Sequence, residues 1–176
     1  MLFFLALAGT PAAADQTDAR LDGLFARLKT APDARAARGI EAAIWAIWID
    51  SDDEVVGLLM QQGIGAMTRR DYRAALRSFD QMVKIAPDFA EGWNKRATVH
   101  YMLGHYGESL RDIDRTLKLE PRHFGALSGR GLVYIELDEE ELALDSFEAA
   151  LKIHPLLPGA NHNAEVIRDR LGNREI

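Results

Sequence analysis

The feature that most constrains this chain is a spacing of 34 residues that recurs through its middle. It separates Pro87 from Pro121 and Pro121 from Pro155. Five further columns keep the same spacing, three of bulky and two of small residues: Leu59/Trp93/Leu127, Phe79/Ile113/Phe147, Val83/Leu117/Leu151, Gly63/Ala97/Gly131 and Ala75/Ser109/Ala143. Such a period indicates stacked copies of one small unit, because a single unit cannot bury its apolar face alone.

The pattern inside each copy predicts two helices. Leu110, Ile113 and Leu117 fall at helical spacing, so they share one face. The small residues let the paired helices approach closely, and the recurring proline ends the second helix because it has no N–H to donate. Gly104 is placed to end a first helix in a left-handed conformation. The pattern therefore predicts helices and no β-strands.

The copies resemble the tetratricopeptide repeat (TPR). The middle copy matches the family pattern at six positions: Trp93, Ala97, Tyr106, Ser109, Ile113 and Pro121. The first copy departs from it where Met82 replaces the usual alanine. The resemblance implies an all-α, TPR-type α-α solenoid with three full repeats at 56–89, 90–123 and 124–157.

The period continues weakly on both sides of the three copies. Residues 15–55 resemble a degenerate repeat, with helices expected near 17–30 and 33–50, and residues 158–176 resemble a polar capping helix. The total is nine helices. Trp45 and Trp48 share a helix face, which indicates either an anchor of this hairpin on copy one or an exposed docking patch.

Residues 1–14, MLFFLALAGTPAAA, resemble a secretory signal peptide, although no Lys or Arg precedes the apolar run. We therefore expect a periplasmic or secreted protein with no stable membrane insertion after cleavage. The chain has no cysteine, and 21 Lys and Arg against 27 Asp and Glu give a net charge of −6. That charge argues against nucleic acid as a partner.

The resemblance also implies a partner-binding groove on the concave face, formed by the first helices of the repeats. The predicted groove residues are Met60, Ile64, Met67, Asn94, Thr98, Tyr101, Met102, Ser128, Leu132 and Ile135. Their character suits a protein or peptide with apolar anchors. A second copy of the chain is an alternative occupant, and a terminal helix could instead cover the groove. Lys95, Arg96 and Arg130 sit at positions that point toward neighbouring helices in the family, which disfavours a clamp for a terminal carboxylate.

Enzyme signatures are poor. No two of the five histidines stand four apart on a helix, so no helical metal pair is formed, and we predict no catalytic residue, metal or cofactor. The predicted function is a non-catalytic adaptor or scaffold in the bacterial envelope. The alternatives are a cytosolic TPR chaperone of a secreted protein and an enzyme on a helical scaffold.

Two packing expectations follow from the repeat positions. Trp93 should be largely buried between the helices of its repeat. Gly131 should lie where two helices close on each other, so that added volume is not tolerated. Gly125 should lie on the open groove side, where a methyl group fits.

Overall fold

The computed structural model describes residues 15–173, which form nine helices and no strand. The all-α expectation is confirmed. The residues of the suggested signal peptide, 1–14, lie outside the described part. The helices are α1 Arg20–Lys29, α2 Ala34–Ile49, α3 Glu54–Thr68, α4 Tyr72–Ile85, α5 Ala90–Met102, α6 Tyr106–Leu119, α7 Phe124–Glu136, α8 Glu140–Ile153 and α9 Pro158–Gly172.

Local signals set the helix ends. The side chains of Asp33, Asp53 and Asp71 each accept a hydrogen bond from a backbone N–H in the first turn of α2, α3 and α4. These bonds satisfy donors that a helix start leaves unpaired. Gly104 follows α5 with φ of 75°, the left-handed conformation predicted for it.

The three copies stack as paired helices, α3 with α4, α5 with α6 and α7 with α8. The small columns allow this contact. A Cβ on Gly131 would lie 2.7 Å from Cε1 of Phe147, and one on Gly63 would collide with the ring of Phe79. In the middle copy the Ser109 hydroxyl donates to the carbonyl of Ala97 at 2.9 Å.

The N-terminal hairpin is placed differently from the prediction. It was expected to anchor on copy one, but α2 packs on α5, and α1 packs on α8. Trp48 is fully buried in a cluster with Phe25, Ile44 and Phe124, at the start of copy three. The end of α2 still reaches copy one, where Ile49 packs against its cluster. The hairpin therefore crosses the face formed by the first helices.

Trp93 is half-buried, so it is less enclosed than a core position between the two helices of its repeat would be. Its indole N–H donates to the carbonyl of Pro87 at 2.9 Å, and the Arg96 guanidinium lies 4.8 Å from the ring centroid. The ring thus lies against the loop before α5 and is covered on one side by a charged side chain.

Helix α9 packs against α8. Ala160, Ala164 and Ile167 are buried in the cluster of copy three, while Asn161, His162 and other polar side chains face solvent. This is the arrangement that a terminal cap of a repeat array requires. Within residues 15–173, no helix has the length and apolar character needed to cross a lipid bilayer.

Candidate groove pocket

Helices α2, α5 and α7 enclose a pocket on the face of the array formed by the first helices. Its volume is about 240 Å³. The lining residues, which we call the groove pocket, are Glu41, Trp45, Asn94, Ala97, Thr98, Tyr101, Ser109, Ile113, Phe124, Gly125, Ser128, Gly129, Leu132 and Leu157. One wall is supplied by the repeats and the other by the N-terminal hairpin.

The wall supplied by α7 follows one helix face. Gly125, Ser128, Gly129 and Leu132 stand at helical spacing, so they lie in one stripe. The two glycines leave room above the helix. Trp45 occupies part of that room, because a Cβ on Gly125 would lie 2.6 Å from its Cη2 atom. The expectation that a methyl group fits at Gly125 is therefore wrong.

Aromatic contacts hold the hairpin in this position. Trp48 stacks on His123 with ring centroids 4.0 Å apart and planes inclined by 10°. Trp48 also lies 5.2 Å from Phe124, and Trp45 meets Phe124 edge-on at 5.6 Å. Such pairs add about 0.5–1.5 kcal/mol each beyond their burial. Trp48 is thus a buried anchor and Trp45 a half-buried one, and both contact the start of copy three.

A buried polar cluster lies beneath the tryptophans. Glu91 is 1% exposed and contacts Lys95 Nζ at 2.8 Å. His123 accepts from the backbone N–H of Ala126 at Nδ1, so its Nε2–H donates to Glu91 at 2.9 Å. Burial works to raise the pKa of Glu91, but Lys95 and His123 outweigh it and leave this pKa below its usual value. The carboxylate is therefore charged and compensated.

The other cations near the groove are also engaged. Arg96 forms a bidentate pair with Asp112, at 2.7 Å for both contacts, and reaches Asp80 at 3.0 Å. The Arg130 Nε–H donates to the hydroxyl of Ser146 at 3.2 Å. These side chains point toward neighbouring helices, as the repeat positions implied. Of the described residues that line the groove pocket, none is Lys, Arg or His.

Two carboxylates lie beside the pocket without a Lys or Arg partner. Glu41 accepts from the indole N–H of Trp45 at 3.3 Å and from His154 Nε2 at 3.4 Å. Glu136 accepts from the hydroxyls of Tyr101 at 3.4 Å and Tyr106 at 2.9 Å. Burial, together with the charge of Glu136, raises the pKa of Tyr101, so this phenol stays a neutral donor.

The structure brings together half of the predicted groove residues. Five of them line the pocket: Asn94, Thr98, Tyr101, Ser128 and Leu132. Ile64 and Met67 pack against the cluster of copy one, Ile135 packs against that of copy three, and Met102 is exposed outside the pocket. Met60 is 2% exposed in the core of copy one, so its prediction as a partner-binding residue is corrected: the side chain is not available to a partner.

The sequence prediction missed the residues that the hairpin and the later loops bring to the pocket. The hairpin brings Glu41 and Trp45, the first residue of α7 is Phe124, and the loop before α9 brings Leu157. The paired tryptophans were noticed as an anchor, but no spacing in the sequence shows which repeat they contact. The burial of His123 and His154 was also missed, although each stands close to a repeat proline: His123 two residues after Pro121, and His154 directly before Pro155.

The arrangement offers shape and hydrogen bonding rather than an evident reactive group. Within the part of the chain that the structure describes, no three His, Asp, Glu or Cys side chains converge in a way that could hold a metal ion. The Thr98 hydroxyl donates to the carbonyl of Asn94, and the Ser109 hydroxyl is bound to Ala97. These groups are occupied inside the protein.

Comparison with known proteins agrees with this architecture. The family model described as tetratricopeptide repeat matches residues 60–110 and 94–158, together more than half of the chain. The chain belongs to the tetratricopeptide repeat family. A TPR repeat-containing protein of Rhizobium etli is 39% identical over 90 residues, which are 51% of this chain and 44% of that protein. The match therefore spans less than half of that relative.

Solved structures show the same fold at low identity. The Arabidopsis OM64 TPR domain has a TM-score of 0.65 at 18% identity, with 66% of this chain and 97% of that one covered. The first TPR domain of Spaghetti (RPAP3), solved bound to the HSP90 peptide SRMEEVD, has a TM-score of 0.66 at 20% identity, with 69% and 96% covered. These likenesses support the solenoid fold.

Proposed function

We propose that this protein is a non-catalytic adaptor that binds a segment of a partner protein along the groove, with one anchor side chain entering the groove pocket. The observation that carries this proposal is the pocket itself. It is bounded by Trp45, Tyr101, Phe124 and Leu132, and its volume of about 240 Å³ suits one large side chain. An anchor buried in such a pocket is how a few residues supply most of the affinity of an interface.

The charges around the groove favour a different segment from the acidic peptide in the Spaghetti structure. The carboxylates of an acidic peptide are bound by Lys or Arg side chains that have no other partner. Here Lys95 is paired with Glu91, and Arg96 is paired with Asp112. The described residues that line the pocket include no further cationic side chain. The proposed partner segment is therefore not an acidic tail.

The proposal is tested by placing a charge inside the pocket. Leu132→Glu should abolish capture of the partner from an envelope extract and, once the captured protein is identified, its binding in calorimetry. The matched control is Leu142→Glu, since Leu142 is 44% exposed on α8 and does not line the pocket. Both variants should keep the helical circular dichroism of the parent. Equal binding by the folded Leu132→Glu variant would refute the proposed groove.

A second copy of the chain is the other occupant to test. Sedimentation of the parent and of Leu132→Glu distinguishes the two cases. A dimer that dissociates only in the pocket variant would identify the groove as a self-association surface. If the parent is monomeric at high concentration, or if its dimer persists in Leu132→Glu, the groove is not a self-association surface and its proposed occupant is another protein.

We propose further that the protein acts in the cell envelope after export. The support is the sequence of residues 1–14, an apolar run followed by Ala12, Ala13 and Ala14. Mass spectrometry of the protein from its native source should find a mature N-terminus at Asp15. A protein that keeps residues 1–14 and fractionates with the cytoplasm would instead favour the chaperone alternative.

A further inference from the structure

We infer that the groove pocket selects a cationic amphipathic group: a large apolar stem that ends in an amine or guanidinium. In a protein partner this group is an apolar anchor next to Lys or Arg. The inference rests on the proposed function, because it names the chemistry of the segment that the same pocket takes.

The first observation is the charge of Glu41. This side chain is 25% exposed and lines the pocket, yet its contacts are the neutral indole N–H of Trp45 and the imidazole of His154. The buried carboxylates among the described residues each contact a Lys or Arg: Asp18 with Arg20, Glu91 with Lys95, Asp112 with Arg96 and Glu120 with Arg122. Glu41 is a partly buried carboxylate at the wall of the groove pocket, and the residues it contacts there are Trp45 and His154 rather than a Lys or Arg.

An unpaired carboxylate in a partly buried position is costly, because burial removes the water that would solvate its charge. A ligand cation placed there restores the missing compensation. The apolar walls, among them Trp45, Tyr101 and Leu132, meanwhile cover the stem of the ligand. The ammonium group of Lys95 already lies 5.0 Å from the centroid of the Trp45 ring, and this lysine is itself paired with Glu91. The pocket therefore matches a group that is apolar along its length and positive at one end.

The second observation is Glu136, which lies one helical turn beyond Leu132 on α7. It accepts hydrogen bonds from two tyrosine hydroxyls and contacts no described Lys or Arg. Along α7, Glu136 lies ~16 Å from Gly125, the residue that contacts Trp45. An extended chain covers that distance in about five residues. A partner segment of about that length, with its anchor beside Gly125 and a positive charge at its other end, thus reaches the exposed carboxylate of Glu136.

Small probes of equal size test the charge preference directly. 2-Phenylethylamine, 2-phenylethanol and phenylacetate share an aromatic stem and differ in their end groups. Each is titrated at pH 8, the same condition for all three probes. The Trp45 indole N–H resonance reports binding. The amine should bind about 3- to 5-fold more tightly than the alcohol, the range of a partly exposed ion pair, and phenylacetate should bind most weakly.

The charge variants complete the test. Glu41→Gln keeps the shape of the side chain and should remove the advantage of the amine over the alcohol. Glu165→Gln, on the exposed side of α9, is the matched control and should leave that advantage unchanged. If Glu41→Gln alters the fold, the relative affinities of the three probes for the parent protein still test the preference for a cation.

The outcomes separate this inference from the proposed function. Equal affinity for the three probes, or a preference for phenylacetate, would overturn the selectivity for a cation. The groove as a partner-binding site would still be supported if the parent captures a partner and Leu132→Glu does not. Absence of any shift at the Trp45 indole at probe concentrations that saturate weak sites would overturn the pocket as a ligand site. Loss of capture in the Leu142→Glu control would count against the groove and not against the charge preference.

Discussion

Replacing Trp48 with alanine should destabilise the protein far more than the same change at Trp93. Trp48 is 1% exposed and packs between the hairpin and the start of copy three, against Phe25, His123 and Phe124. Trp93 is half-buried and covered by the Arg96 guanidinium. The two changes delete the same atoms, so the difference between them reports the two environments.

The magnitude follows from the burial. A tryptophan side chain buries about 150–250 Å², which at about 25 cal/mol/Å² gives roughly 4–6 kcal/mol as an upper value. Measured losses for buried large aromatics are about 3–5 kcal/mol. We expect about 3–5 kcal/mol for Trp48→Ala and less than about 2 kcal/mol for Trp93→Ala, since part of the latter ring is already in water.

Urea unfolding followed by circular dichroism measures both values. With a slope of about 2 kcal/mol/M, the midpoint should fall by roughly 2 M for Trp48→Ala and by less than about 1 M for Trp93→Ala. Hydrogen exchange should also speed up in α2 more than in α7 in the Trp48 variant, because the hairpin loses its anchor. Equal midpoints for the two variants would refute the placement of the hairpin.

The remaining predictions concern two close contacts and one buried charge. Gly131→Leu should cost at least about 3 kcal/mol, because a Cβ already meets an aromatic ring at 2.7 Å; an unchanged melting temperature would contradict the helix pairing. Gly125→Ala should cost about 1–3 kcal/mol against Trp45, whereas Gly57→Ala, which has open space, should be neutral or stabilising; equal melting temperatures would contradict the contact. The pKa of Glu91 is lowered in the folded protein, so the charged carboxylate stabilises the fold above its ordinary pKa of 4.5, and this stabilisation is lost as the pH falls below that value. Glu91→Gln should therefore weaken the fall of the urea midpoint with decreasing pH. The same fall in the variant and the parent would refute a charged Glu91 in the folded protein.

The repeats could be predicted from the sequence because their contacts are local. Gly131 and Phe147 stand 16 residues apart within one copy, and both belong to columns that recur in every copy. A small residue opposite a large one is enough to place two adjacent helices. The order of the helices, their bounds and the polar face of α9 then follow from periodicity and capping.

The position of the hairpin could not be predicted in the same way. Trp48 lies 75 residues before its stacking partner His123, and nothing in the spacing of residues 15–55 distinguishes a contact with copy one from a contact with copy three. The start of α7 offers Gly125, which leaves room for the Trp45 indole, and the buried His123, on which the Trp48 indole stacks. Half of the groove pocket depends on this long-range contact.

The N-terminal hairpin forms one wall of the groove pocket, on the face of α5 and α7. A nuclear Overhauser experiment on aromatic protons tests it most directly. The stacked rings of Trp48 and His123, with centroids 4.0 Å apart, should give strong cross-peaks, and the Trp45 indole should give cross-peaks to the α-protons of Gly125. Cross-peaks from both indoles to residues of α3, without any to His123 or Gly125, would place the hairpin on copy one and contradict the account.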